Sequence, residues 1–251
     1  MSDDSLQGKN LVVLGASRGV GREIVRRAHA EQASVLAVAR GHEGLEGLAQ
    51  ELTGVRILAL DASQPDAPQQ VFAAMPPDVL VICGGAMPAT APLQELSWAQ
   101  FAAPWEVDVR MSFLFCGHAL RTPLAPGSTV ILISSGAGLG GSPISGGYAG
   151  SKRMQMFMAA YCQKESTRLG LGIRFTALVP MRIMPETELG ETAVKGYARY
   201  LGIAPADFIQ GMRDRQSTHH VAEAVIRVAT GQIGAQDTLL AVSAEDVSPV
   251  S

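Results

Sequence analysis

Three side chains with reactive heteroatoms stand close together in the stretch Ser134–Lys152, SSGAGLGGSPISGGYAGSK. Tyr148 and Lys152 are four apart, and Ser135 precedes the tyrosine by thirteen. If Tyr148 opens a helix, Lys152 follows one turn on along the same face. A nearby ammonium favours the phenolate and draws the tyrosine below its usual pKa of about 10. Such a tyrosine can trade a proton with an alcohol or carbonyl oxygen near neutral pH. The Ser135 hydroxyl can hold that same oxygen. Glycines at 136, 138, 140 and 141 let the connection between them fold closely. A tyrosine–lysine pair at this spacing is common by chance. A serine placed ahead of it at this distance, just after a strand, is far more specific.

A second chemistry is carried by LGASRGVG, residues 14–21. Gly15, Gly19 and Gly21 fall between an apolar run and an amphipathic one, the context of a dinucleotide site. The first glycine permits the tight turn. The others let backbone and helix approach a pyrophosphate, which the helix N-terminus stabilises. Ser17, Arg18 and Val20 lie within the same turn. An NAD site commonly has an acid about 20 residues further on, at the end of the next strand. Here that strand ends Val38-Ala39-Arg40. Arg40, with Arg18 in reach, can offer a planar fork to a 2′-phosphate, so the pattern favours NADP(H). The alternative is a pair of solvated surface arginines.

Both sites need a scaffold. Unbroken apolar runs at 10–16, 34–40, 55–61, 78–85, 128–135, 173–180 and 237–242 read as strands. Helical segments are expected at 21–32, 44–52, 97–120, 148–169 and 218–230. Apolar strands alternating with helices imply a parallel sheet covered on both faces, hence a seven-stranded doubly wound α/β fold. One domain should span 1–251, with 185–217 as an irregular lid after the sixth strand or, equally on composition, a solvated helical excursion. The chain of 251 residues is 47% hydrophobic and 17% charged, which suits a large core. A net charge of −3 gives no reason to expect nucleic acid as a partner. The polar opening MSDDSLQGKN does not read as a signal peptide, and no apolar run is long enough for a membrane span. Cys83, Cys116 and Cys162 are scattered and odd in number, which points to reduced thiols in a cytoplasmic protein. The five histidines form no metal-binding pattern.

With these residues the sequence resembles the short-chain dehydrogenase/reductase family in its compact, single-domain form, over nearly the whole chain. The matching residues are Gly15 to Gly21, Asp61 after the third strand, Ser135, Tyr148, Lys152 and Pro180. The resemblance implies a Rossmann fold and a hydride passed between a nicotinamide and a substrate carbon. It implies Tyr148 as general acid/base, Lys152 lowering its pKa and binding the nicotinamide ribose, and Ser135 orienting the substrate. It also implies that Asp61 and Ala62 meet the adenine and that Ile183 lies near the nicotinamide amide.

The match is broken in places. Where the family has Asn-Asn-Ala-Gly after the fourth strand, this chain has Ile82-Cys83-Gly84-Gly85. Gly84 and Gly85 can still bring backbone close to a ribose. Where the family often places an asparagine that helps hold a water in the proton relay behind the lysine, this chain has Asp108; the resemblance implies that it substitutes in that catalytic role, and its carboxylate would favour a charged Lys152. Pro180 is followed by Met181, and Pro185 stands where a threonine is common. Met154, Phe157, Met158 and Tyr161 cannot share one narrow stripe, which predicts a homodimer or homotetramer. The leading expectation is an NADP(H)-dependent oxidoreductase interconverting a carbonyl and a secondary alcohol. The alternatives are an NADP-binding sensor or scaffold that has lost catalysis, and a dehydratase or epimerase on the same scaffold.

Overall fold

A computed structural model describes residues 5–234 and 236–250; the first four residues of the polar opening lie outside the described residues. Every strand joins one sheet, in the order β3-β2-β1-β4-β5-β6-β7-β8. The strands are β1 (Asn10–Leu14), β2 (Ser34–Ala39), β3 (Arg56–Ala59), β4 (Val79–Ile82), β5 (Thr129–Ile133), β6 (Arg174–Pro180), β7 (Leu239–Val242) and β8 (Val247–Pro249). The expected seven are all present and parallel. The eighth, which the sequence reading left out, pairs antiparallel to β7 and caps that edge. Its three residues are too few to show an alternating pattern.

The helices are α1 (Gly19–Ala30), α2 (His42–Glu51), α3 (Ala67–Ala74), α4 (Trp98–Pro104), α5 (Arg110–Arg121), α6 (Ala137–Gly140), α7 (Gly146–Arg168), α8 (Glu188–Leu201), α9 (Pro205–Gln210) and α10 (Thr218–Ala229). Successive strand residues point to opposite faces. Thus Leu11, Val13, Val35 and Ala37 pack with Ile24 and Val25 of α1 and with Val221 and Val225 of α10. Val12, Leu14, Leu36 and Val38 pack with Val71 of α3, Phe115 of α5 and Met158 of α7. Burial on both faces explains the unbroken apolar runs. No helix among the described residues is long and apolar enough to cross a membrane.

Two expectations need correction. The segment 97–120 is not one helix: a π-helical turn, Trp105–Val109, separates α4 from α5. Pro104 immediately before it has no N–H to give, so the regular ladder cannot run through. The segment 185–217 is largely helical rather than irregular, being built on α8 and α9. Thr187 caps α8 by accepting from Gly190 N at 2.9 Å, and Gly202 ends that helix in the left-handed region at φ +69°.

Candidate active site

Because the seven strands run parallel, their C-terminal ends lie on one edge of the sheet, where ligands bind in such folds. The loops leaving that edge enclose a cavity of about 880 Å³. The expected cofactor and catalytic residues line it: Gly15 to Gly21 apart from the buried Ala16, then Arg40, Asp61, Ala62, Gly84, Asp108, Ser135, Tyr148, Lys152, Pro180 and Ile183.

At one end the glycine turn comes against the loop after β4. A Cβ on Gly15 would sit 2.4 Å from the Gly84 Cα, and one on Gly21 would sit 2.1 Å from the Gly15 carbonyl oxygen. Only bare backbone allows these approaches. Gly15 also takes φ +84°. No side chain among the described residues caps the start of α1 and its first turn holds no acid, so its N–H groups and positive end are left to the cavity. This cradle fits a dinucleotide pyrophosphate. Exposed Arg40 makes no ion pair among the described residues, whereas Arg18 pairs with Glu188 of α8. Asp61 is engaged locally. Its Oδ1 accepts from Ser63 N at 2.9 Å and from Ser63 Oγ at 2.7 Å, and these bonds hold the carboxyl below its ordinary range.

At the other end α7 carries Tyr148 and Lys152 on one face, with the ammonium 5.6 Å from the centre of the tyrosine ring. Ser135 follows the end of β5, where its Oγ accepts from Ala137 N at 3.2 Å. The preceding Ser134, which the sequence reading passed over, turns inward. Its Oγ donates to the Lys152 carbonyl at 2.8 Å and ties α7 to β5.

Lys152 is almost fully buried. Its Nζ donates to the Ile133 carbonyl at 3.2 Å and to Gln155 Oε1 at 3.1 Å, and lies 3.1 Å from Asp108 Oδ2. The last contact is ionic rather than a well-aligned hydrogen bond, for Oδ2 has no hydrogen-bond partner among the described residues. Asp108 is fully buried, and its Oδ1 accepts from Ala86 N at 2.8 Å. Burial pushes the ammonium down, but Asp108 and then Tyr148 outweigh it and leave Lys152 above the ordinary lysine value. The two breaks in the family pattern prove to be one. A Cβ on residue 85 would lie 2.7 Å from Asp108 Oδ2, so the carboxylate has room because Gly85 has no side chain. The π-helical turn carries Asp108 inward, as such turns often do at functional sites. Burial raises the Cys83 thiol to about 12, which removes it as a nucleophile near neutral pH.

The lid closes the remaining side. Met181, Met184, Leu189 and Tyr197 line the cavity, and Tyr197 stacks on Phe208 with ring centres 5.4 Å apart. Arg199 donates to the Thr90 carbonyl across the opening. Thr187, also passed over, stands beside the glycine turn: a Cβ on Gly19 would be 3.7 Å from its methyl group.

The chain is similar to known proteins. The 7beta-hydroxysteroid dehydrogenase of Collinsella aerofaciens is 30% identical over 202 residues, covering 73% of this chain and 75% of the relative. The L-xylulose reductase of Bos taurus is 28% identical over 132 residues, and the match spans only about half of each protein, 53% and 54%. Among solved structures, a 3-ketoacyl-(acyl-carrier-protein) reductase from Brucella melitensis complexed with NADH superposes with a TM-score of 0.78. It is 20% identical and matched over 96% of this chain and 98% of its own, a likeness of fold. A family model for short chain dehydrogenases matches residues 9–196, a span that takes in the glycine turn, Asp108, Ser135, Tyr148 and Lys152. With most of its length inside that match, the chain belongs to the short-chain dehydrogenase family of nicotinamide-dependent oxidoreductases.

Proposed function

We propose that the protein is an NADP(H)-dependent oxidoreductase that interconverts a carbonyl and a secondary alcohol, with Tyr148 as general acid/base. The observation that carries this is the shared cavity: Ser135, Tyr148 and Lys152 line the same space as the glycine turn and Arg40. A bound nicotinamide supplies or accepts the hydride. Tyr148 gives its phenolic proton to the carbonyl oxygen during reduction and takes it back from the alcohol during oxidation. Ser135 donates to that oxygen and fixes its place. Lys152 stabilises negative charge developing on the Tyr148 oxygen. Gly15, Ser17, Gly19, Val20, Gly21 and Gly84 form the phosphate and ribose cradle, and Arg40 meets the 2′-phosphate. Asp61 and Ala62 border the adenine; Pro180 and Ile183 border the nicotinamide.

The relatives support an alcohol or ketone substrate, since their names describe a hydroxysteroid dehydrogenase and a sugar reductase. The thioethers of Met181 and Met184 and the ring of Tyr197 favour one with an apolar body. Exposed Phe113 on α5 and Phe157 and Tyr161 on α7 favour a homodimer or homotetramer. Three free cysteines suit the cytoplasm. The unit is a single domain over 1–251 with 185–217 as its lid.

A second reading is an NADP-binding sensor without catalysis. It is favoured by the Lys152 ammonium, which is already engaged by two protein hydrogen-bond acceptors and by the Asp108 carboxylate. The test is fluorescence titration with NADPH and NADH, followed by turnover of ketones with Tyr148→Phe as control. Turnover that depends on Tyr148 supports the enzyme. Tight NADPH binding with no turnover on any ketone supports the sensor, and no binding of either nucleotide would sink both.

A further inference from the structure

α7 buries a side chain that apolar packing does not require. Gln155 lies three residues after Lys152 and is fully inaccessible to solvent. A buried amide must find partners for its polar atoms or lose stability. Gln155 Oε1 accepts from Lys152 Nζ at 3.1 Å, and its Nε2 donates to Ser112 Oγ at 2.9 Å. Ser112, also fully buried, donates to the Asp108 carbonyl at 2.8 Å. Asp108 in turn lies 3.1 Å from Lys152. The four residues form a ring, closed through the Asp108 main chain and the Asp108–Lys152 ion pair, that joins α7 to the π-helical turn and the start of α5.

A purely structural amide would be needed to hold the π-helical turn. Ser112 already does that, through a bond to the carbonyl four residues back on its own helix. What Gln155 adds is a neutral side-chain acceptor for the ammonium. With the Ile133 carbonyl it gives the ammonium two hydrogen-bond acceptors, while the Asp108 carboxylate supplies the opposing charge.

We propose that Gln155 is a positioning residue, which together with Ser112 holds the Lys152 ammonium in place beside Tyr148. This rests on the catalytic reading of Tyr148 and Lys152 given above. The charged and titratable groups that face the ammonium are Asp108 from the π-helical turn, Tyr148 from α7 and Cys83 from the end of β4. Gln155 adds no charge to this set. Removing its oxygen weakens the charged form of the lysine and frees its side chain to move.

The test is Gln155→Leu, close in volume and without polar atoms, with Ser112→Ala as the milder variant should the first not fold. Two readouts are needed. The first is the titration midpoint of Lys152 in the cofactor-free protein, followed by NMR of ε-¹³C-labelled lysine. We expect it to fall by about one pH unit in Gln155→Leu, as suits the loss of one hydrogen bond to a charged group. Ser112→Ala shifts it less, in the same direction. The second is steady-state kinetics, where kcat falls about tenfold with KM unchanged, because the interaction acts on the proton transfer and not on substrate binding. A midpoint equal to the wild type in a folded variant overturns the proposal, as does a kcat that does not change. A wild type without turnover sinks the catalytic reading instead, and the lysine midpoint still reports whether Gln155 holds the ammonium.

Discussion

Gly15 and Gly84 meet backbone to backbone: a Cβ on the first would lie 2.4 Å from the Cα of the second. The relation is not symmetric. A Cβ on Gly84 would meet the flexible end of Met111 at 3.2 Å and the Gly15 Cα at 3.5 Å. Gly15 moreover takes φ +84°, which costs an L-residue about 1–2 kcal/mol before any clash. Gly15→Ala should therefore abolish nucleotide binding and lower the unfolding free energy by more than about 2 kcal/mol. Gly84→Ala should cost about 1 kcal/mol, because Met111 can shift. Denaturant unfolding with NADPH titration on both variants checks this contrast.

Asp108 and Lys152 form a buried pair, so removing one partner strands the other. Asp108→Ala should cost about 3 kcal/mol or more at neutral pH. The sign of the pH dependence follows from the lysine. Its folded-state pKa is raised, so the stabilisation is fully present below the unfolded lysine value and is lost as pH rises through the folded one. The gap between wild type and Asp108→Ala should thus narrow at alkaline pH. Gly85→Ala, whose Cβ would fall 2.7 Å from the carboxylate, should lose part of the same energy. The double variant should then cost less than the sum of the two, as expected for residues in contact. Chemical denaturation from pH 7 upward reads both effects.

Arg40 is the charge that separates the two nucleotides. Arg40→Ala should weaken NADPH binding about tenfold or more, the worth of one charge-assisted hydrogen bond, and leave NADH binding unchanged. Equal loss for both nucleotides would show that Arg40 meets no 2′-phosphate.

Tyr148→Phe removes the proton donor and leaves the cradle intact. Its kcat should fall about 100-fold to 10,000-fold, the usual contribution of a general acid/base, with NADPH binding retained. Kinetics and titration on one preparation separate the two effects.

Away from the site, Glu51 ties α2 to α1 through Arg22 at 2.9 Å and Arg26 at 2.6 Å. Bonds from Arg26 and then Arg22 hold its carboxyl down to about 2. Its folded-state pKa is lowered, so the stabilisation is present above the ordinary carboxylate value and is lost as pH falls through about 2. The pair is exposed, which limits its worth to under about 1 kcal/mol. Thermal melts of wild type and Glu51→Gln should differ slightly at pH 7 and converge in acid.

The sequence by itself determined the seven parallel strands, the glycine turn and the placing of Ser135, Tyr148 and Lys152. These are local facts: apolar runs mark strands buried on both faces, glycines mark turns, and a spacing of four marks one helix face. Asp108 was legible as a departure, and so was the bare Gly84-Gly85 pair, but not their connection. That the carboxylate fills the space a side chain at 85 would take is a contact across 23 positions of chain, and no local pattern encodes it. The π-helical turn was hidden for the same reason, since Trp105–Val109 has the composition of any amphipathic helix and its geometry is set by what it packs against. Only the tertiary structure decided that Ser112 and Gln155 join Asp108 and Lys152 in one buried ring. Three segments had to fold together before their polar atoms could find one another, and only burial made those bonds obligatory.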